Sequence, residues 1–355
     1  MTETIHVGLG NRSYPITIGD KAWSGLLPHL EKNPFTSSIT VIDERVNRLY
    51  GERFFGLTDK TGKPSFRFIL PEGEQSKSFP FLESLCRDMA RNGMDRGSLV
   101  LALGGGVVGD LAGLAASVYL RGVRLIQLPT TLLSMVDSSV GGKTGINISE
   151  GKNLIGTFYQ PEAVFADISV LGTLDERDWY SGLAEILKIA LALDAGLFDY
   201  LESVGDLGPS GDLDVTRTVA AACRQKANVV ELDEKEAGLR KALNFGHTLG
   251  HGVEASLGYG VLRHGEAVLF GMRAALILST RMCGLPSDQF QRAIKLLDRI
   301  PVPDVEIPHD LNRFIIKDKK SSGNRISGVF IKEIGKHEFV SLEDPSVLVE
   351  ALKVP

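Results

Sequence analysis

Three histidines and an acid between Asn244 and Val268 are the residues of this sequence best suited to chemistry. His247 and His251 stand four positions apart, so on a helix they project from one face, one turn above the other. Gly258 and Gly260 break that helix, and His264 returns at the start of the next apolar helical run, followed by Glu266. A lone histidine on a helix is more often a satisfied core or surface residue. Three imidazoles in one short segment of a chain with seven His in all, beside a carboxylate, form the donor set a zinc-class ion prefers. On spacing alone, the expected ligands are His247, His251 and His264.

The rest of the chain must position that segment. With 355 residues it exceeds the size at which one core keeps growing, so two domains are expected, 1–174 and 175–355. Hydrophobic content of 43% and charged content of 23% are those of an ordinary globular protein. A formal net charge of -5 and the lack of a Lys/Arg-dense run argue against a nucleic-acid partner. Cys86, Cys223 and Cys283 are odd in number and widely spaced, which fits neither a disulfide framework nor a zinc knot and is compatible with a reducing cytoplasm. The first residues lack the pattern of a signal peptide, and no apolar run reaches membrane length, so a soluble, unexported, cytoplasmic chain without a membrane partner is expected.

Short β-rich segments at 5–9 and 14–18, separated by Gly10-Asn11-Arg12, predict a hairpin at a sheet edge. Apolar strands follow at 38–42, 66–70, 98–103, 124–128 and 163–168, alternating with helices, which predicts a mostly parallel sheet. The strand at 98–103 runs into Gly104-Gly105-Gly106-Val107-Val108-Gly109-Asp110, a G-x-G-x-x-G pattern with strand before and helix after, as a pyrophosphate site requires. The usual acid about twenty residues further on is missing. Asp43, closing the strand at 38–42, is the best substitute ribose contact, and equally a plain helix cap. Residues 135–156, rich in Gly, Ser, Lys and Asn, read as a long loop suited to an anionic ligand. Gly142-Lys143-Thr144 lacks the first glycine of a P-loop, so triphosphate binding is rejected. Beyond 175 helical periodicity takes over. Glu185 and Lys188 share one face of an apolar helix, either as a mutual ion pair or as a ligand and an ammonium facing a pocket. The run Asp233 to Arg240 reads by itself as a solvated loop, and a small hairpin is expected at 325–331 and 336–340.

Together, Gly-Gly-Gly-Val-Val-Gly-Asp at 104–110, Leu-Pro-Thr-Thr-Leu-Leu at 128–133, Val-Asp-Ser-Ser-Val-Gly-Gly-Lys-Thr at 136–144, Gly-Lys-Asn-Leu-Ile-Gly at 151–156, Ala-Glu-Ile-Leu-Lys at 184–188, Leu-Asn-Phe-Gly-His-Thr-Leu-Gly-His at 243–251 and His-Gly-Glu-Ala-Val at 264–268 resemble the 3-dehydroquinate synthases, members of the sugar phosphate cyclase family. The resemblance runs in order from about Pro71 to Lys320. It implies an α/β fold with a Rossmann-like NAD-binding domain followed by a mainly α-helical metal- and substrate-binding domain, usually in a homodimer. The activity it implies is conversion of 3-deoxy-D-arabino-heptulosonate 7-phosphate to 3-dehydroquinate and phosphate, through transient oxidation by NAD, elimination, re-reduction and an aldol closure, with a divalent zinc or cobalt ion. It also implies a different ligand set, Glu185, His247 and His264, with His251 turned toward substrate. Phosphate contacts fall on Lys143, Asn153, Asn244, His251 and one of Lys319 or Lys320, with Arg121 supplied by the partner subunit. Lys226 and Arg240 take the carboxylate, and Asp137, Lys188 and Glu236 orient hydroxyls. The NAD contacts are Asp43, Glu74, Lys77, Gly105, Gly106, Asp110, Thr130, Thr131, Lys152 and Thr173. Three rivals remain at this level: a zinc polyol dehydrogenase, for which this set of anion-binding residues has no use, a cyclase acting on another heptulose phosphate, and an inactive NAD-binding regulator.

Overall fold

The structure, a computed structural model, describes residues 2–258, 260–308, 311, 313–314, 326–344 and 346–352. The chain forms two compact units, 1–174 with 215–231, and 175–214 with 232–355. Most of the helix Val215–Leu232, which lies beyond residue 174 in the chain, groups with the first unit. Its buried face, including Val219, Ala222, Cys223 and Ala227, finds its partners there, and Cys223 Sγ donates to the Met135 carbonyl at 3.2 Å.

The first unit is built on a seven-stranded sheet of order β1-β2-β9-β6-β5-β3-β4. The strands are β1 (Thr2–Val7), β2 (Tyr14–Gly19), β3 (Ser38–Asp43), β4 (Ser65–Leu70), β5 (Leu99–Gly104), β6 (Arg124–Pro129) and β9 (Ala163–Asp167). All pairs are parallel except β1 with β2, the edge hairpin expected from the first residues. Every residue of β5 and β9 is buried, the signature of strands covered on both faces. Ile39, Val41, Val100 and Ala102 pack against Val108, Leu111, Ala112 and Ala115 of the helix Gly106–Val118. Each such aliphatic side chain larger than alanine contributes roughly 1.5–3 kcal/mol on burial. The chain leaves β3 for β4 at one edge and returns as β5 on the other side of β3, so a topological switch point lies between β3 and β5. In doubly wound sheets ligands bind at the carboxyl ends there. Those ends carry Asp43 and Gly104.

The expected loop over 135–156 is corrected. A short π-helical turn, Ser134–Ser138, leads into an antiparallel hairpin of β7 (Lys143–Ile148) and β8 (Gly151–Phe158), and Ile146 joins the core. Gly145 and Gly156 let the two strands meet: a Cβ on Gly156 would stand 2.0 Å from the Thr144 carbonyl oxygen.

The second unit is mainly helical, with helices Glu176–Leu193, Ala195–Ser203, His247–Leu257, His264–Met282, Ser287–Leu297 and Ser346–Leu352. The expected hairpin is present as β10 (Ile326–Glu333) and β11 (Lys336–Leu342); Arg325 lies outside the described residues. The helix His264–Met282 is central and packs on Glu176–Leu193 and His247–Leu257. Glycines set how closely. A Cβ on Gly271 would stand 1.8 Å from the Gly246 carbonyl oxygen, and one on Gly265 would stand 2.2 Å from that of Ser181. Gly246 itself sits at φ 80, where side chains are strained. Among the described residues no helix is long and apolar enough to cross a membrane.

Candidate active site

In the second unit three helix segments bring their polar residues together. Gly265 N–H donates to Ser181 Oγ at 2.9 Å, pinning the first turn of His264–Met282 against Glu176–Leu193. Glu185, one turn beyond Ser181, thereby meets His264. The His264 Nε2 atom lies 3.3 Å from Glu185 Oε1, and the His247 Nε2 atom lies 3.6 Å from the same oxygen. The ring centroid of His251 is 5.3 Å from that of His247 and 5.8 Å from that of His264. One ligand atom from each of the three imidazoles falls within 4.8 Å of the others. The geometry thus gathers the ligands read from spacing and those implied by resemblance around one point.

The other ring atoms show what each histidine offers. His247 Nδ1 lies 3.3 Å from the Phe245 carbonyl oxygen, which can only accept; with the proton on Nδ1, Nε2 carries the lone pair. Burial drives the His247 pKa well below its usual value, against the attraction of Glu185. For His264 burial also lowers the pKa, but Glu185 and Glu254 outweigh it and raise it to about 10. Lys188 Nζ donates to Glu185 Oε2, so the mutual ion pair and the carboxylate facing imidazoles are both present. A neutral buried imidazole, a second imidazole and a carboxylate oxygen converging in this way fit a divalent zinc-class ion.

Glu266, singled out beside the histidines, does not join them. It is the N3 residue of its helix, accepting from the Arg263 N–H at 2.7 Å and from Arg177 at 2.8 and 2.7 Å. Besides Glu185, the acid that reaches the histidines is Glu254, whose Oε2 lies 3.6 Å from His264 Nδ1. It follows His247 and His251 at the next turn of the same helix face, a periodicity visible in the sequence. The run Asp233–Arg240 is more ordered than a solvated loop: Asp233 accepts the N–H groups of Ala237, Gly238 and Arg240, which hold its carboxyl below the usual range. The Arg240 guanidinium is buried and donates to the Glu234 carbonyl at 2.5 Å. Glu236, at φ 60, accepts from Asn244 Nδ2 at 2.8 Å.

In the first unit Gly105 caps the helix Gly106–Val118 and presents its amino terminus at the end of β5. A Cβ on Gly105 or Gly106 would stand 3.2 Å from the side chain of Thr131 or Ser138 respectively, so both positions are tight. Thr130 N–H donates to the Gly104 carbonyl at 3.0 Å, and Thr131 exchanges hydrogen bonds with Ser134. Lys77 Nζ donates to Asp110 Oδ2 at 2.5 Å and to Asn153 Oδ1. Burial raises the Asp110 pKa and Lys77 opposes it. Asn147, which sequence reasoning missed, ties this group together. Its side chain donates to Glu74 Oε1 at 2.7 Å, its backbone N–H donates to the Lys77 carbonyl at 2.8 Å, and its Oδ1 accepts from the Asn153 N–H at 2.9 Å. Asp137 receives Lys226 Nζ on both its side chain and its carbonyl.

Asp43 performs the capping role, accepting the Val46 N–H at 2.8 Å, and burial raises its pKa against that bond. Thr173 bonds Tyr50 through its hydroxyl and Arg45 through its carbonyl. Lys143 and Arg121 are exposed, and Lys152 is half-buried. Arg121 follows Leu120 with both at positive φ, 68 and 49. Lys319 and Lys320 lie outside the described residues.

Residues 67–181 match the family described as 3-dehydroquinate synthase N-terminal, and residues 182–321 match 3-dehydroquinate synthase C-terminal. A 3-dehydroquinate synthase of Acidithiobacillus ferrooxidans is 43% identical over 354 residues, 98% of this chain and 96% of that one. One from Geobacter metallireducens is 42% identical over 362 residues, 98% of each chain. Among solved structures, a 2-epi-5-epi-valiolone synthase from Streptomyces hygroscopicus with NAD+ and Zn2+ bound superposes with TM-score 0.84 at 30% identity, covering 96% of this chain and 95% of that one. A 2-deoxy-scyllo-inosose synthase at 24% identity shares the fold, with TM-score 0.89 over 99% of each chain. With both halves of the chain matched and relatives above forty per cent identity along nearly all of it, the chain belongs to the 3-dehydroquinate synthase family.

Proposed function

We infer that this chain is a phosphorus–oxygen lyase that converts 3-deoxy-D-arabino-heptulosonate 7-phosphate to 3-dehydroquinate and phosphate, a step of aromatic amino acid biosynthesis in the shikimate pathway. The observation that carries the reading is identity of 43% along 98% of the chain to a 3-dehydroquinate synthase, joined to the meeting of Glu185, His247 and His264. NAD and a zinc or cobalt ion supply a hydride acceptor and a Lewis acid when bound. Glu185, His247 and His264 would hold the ion, and the buried Glu185–Lys188 pair fixes the carboxylate oxygen that faces the rings. Gly105, Gly106, Asp110, Thr130, Thr131, Glu74, Lys77, Lys152, Thr173 and Asp43 would hold NAD, a reading supported by the glycine-led helix amino terminus and the switch point between β3 and β5.

A substrate with one carboxylate and one phosphate needs cations, which this acidic chain must concentrate locally. Lys143, Asn153, Asn244, His251 and Lys319 or Lys320 are assigned to the phosphate, with Arg121 given by a partner subunit. Lys226 and Arg240 are assigned to the carboxylate, and Asp137, Lys188 and Glu236 to hydroxyls. The Asn244–Glu236 bond leaves the Asn244 carbonyl and remaining amide proton to orient a ligand. A homodimer is the assembly proposed, supported by the exposed apolar side chains of Leu120, Leu154, Ile155 and Phe158. The cytoplasm is the proposed location, supported by three cysteines that form no disulfide.

The test is an assay of the purified chain with the heptulosonate phosphate and NAD. Phosphate release without lasting NADH absorbance is expected. Accumulating NADH without phosphate would identify a polyol dehydrogenase instead.

A further inference from the structure

We propose that Glu254 is a positioning residue: it fixes the ring of His264 so that Nε2 presents its lone pair to the metal ion. The inference rests on the reading that Glu185, His247 and His264 hold a divalent cation.

A ligating imidazole needs an acceptor for its other ring N–H, or the ring turns and the wrong tautomer competes. His247 uses the Phe245 carbonyl for this. His264 cannot use its own helix in the same way. It is the first residue of His264–Met282, and the backbone groups left over at a helix amino terminus are N–H donors, which repel Nδ1–H. The nearest acid in sequence, Glu266, is engaged by Arg177 and the Arg263 N–H. Glu254 supplies the acceptor from the neighbouring helix. It is 6% exposed, its Oε2 lies 3.6 Å from His264 Nδ1, and the opposite ring atom, Nε2, faces Glu185 Oε1 at 3.3 Å. His264 is thus held between two carboxylates through its two nitrogens. The helix His247–Leu257 carries one ligand and the residue that orients another, and the close contact at Gly250, where a Cβ would stand 3.0 Å from Val268 Cα, keeps the two helices in that register.

Two variants separate orientation from packing. Glu254→Gln keeps the volume and an acceptor oxygen but loses the charge, and Glu254→Met keeps the volume and loses the acceptor. Zinc affinity of the full chain, measured by competition with a chromogenic chelator, is expected to fall about tenfold in the first and about a hundredfold in the second, the two ends of the range for outer partners of ligating histidines. The visible spectrum of the cobalt-loaded chain is expected to change in the same order, a readout that a purely structural role would leave alone. If Glu254→Met does not fold, Glu254→Gln decides alone. A folded variant that binds zinc within about twofold of the wild type, with an unchanged cobalt spectrum, overturns the proposal, the expected losses starting at about tenfold. If the wild type itself binds no ion, the metal reading fails and this inference with it. If the wild type binds and the variants match it, only this inference fails.

Discussion

His264 Nε2 lies 3.3 Å from Glu185 Oε1, joining the first residue of one helix to a fully buried carboxylate on another. Neither residue is packed there by hydrophobic necessity. Removing the ring is therefore expected to cost function more than stability. His264→Ala should retain its far-ultraviolet circular dichroism and lose activity by more than about a hundredfold, beyond what the loss of an outer partner produces. Phosphate release at saturating zinc measures it, and an unaffected rate removes His264 from the site.

Glu266→Gln should do the opposite. The carboxylate is 1% exposed and caps its helix while pairing with the half-exposed Arg177. Loss of the charge should lower stability by about 1–3 kcal/mol. Zinc bound per chain should not change. Thermal melts and metal analysis of the same sample check both halves, and a variant that loses zinc while keeping its melting temperature would return Glu266 to the site.

Gly271→Ala tests how the histidine-bearing helices are brought together. The added methyl would stand 1.8 Å from the Gly246 carbonyl oxygen, at the residue before His247. Overpacking of this kind costs about 1–3 kcal/mol or more. Because backbone must move, zinc affinity should fall along with stability. A variant with wild-type melting and wild-type zinc binding would show that the helices have slack at this contact.

The three cysteines should separate by reactivity. Burial pushes the Cys223 thiol up to about 12, and its Sγ–H donates to the Met135 carbonyl. Cys86 and Cys283 are half-buried, and burial raises them as well. Only the thiolate reacts, so at pH 8 about one Cys223 side chain in ten thousand is competent, against about one in four for an ordinary thiol. Its alkylation should be the slowest of the three and should rise with pH throughout the range below 12. Mass-spectrometric mapping after a timed iodoacetamide pulse measures this, and fast labelling of Cys223 in the folded chain would contradict its burial.

What was legible in the sequence follows the reach of each physical signal. The parallel strands announce themselves because burial on both faces leaves uninterrupted runs such as Leu99-Val-Leu-Ala-Leu103. The β7–β8 hairpin was missed because β8 is half-buried or exposed from end to end, and its glycines are there for strand contact, so no alternation marks it. His247 and His251 stand out by helical spacing, and Glu254 continues the same stripe one turn on. Glu266 drew attention instead because it neighbours His264 in the chain. A helix beginning at His264 places Glu266 at N3, where a carboxylate turns back to the cap. That Glu185 meets the histidines was available only from resemblance, since nothing local records that Gly265 settles on Ser181. The helix Val215–Leu232 looks like any amphipathic helix, and which unit it packs on is a tertiary choice that its own residues do not encode.

Anomalous scattering at the zinc edge from a crystal of the zinc-loaded chain tests the central claim most directly. One peak is expected, about 2.0–2.2 Å from a Glu185 carboxylate oxygen and from the Nε2 atoms of His247 and His264. A peak bound by His247, His251 and His264 with Glu185 still paired to Lys188 alone, or no peak among these residues, would contradict it.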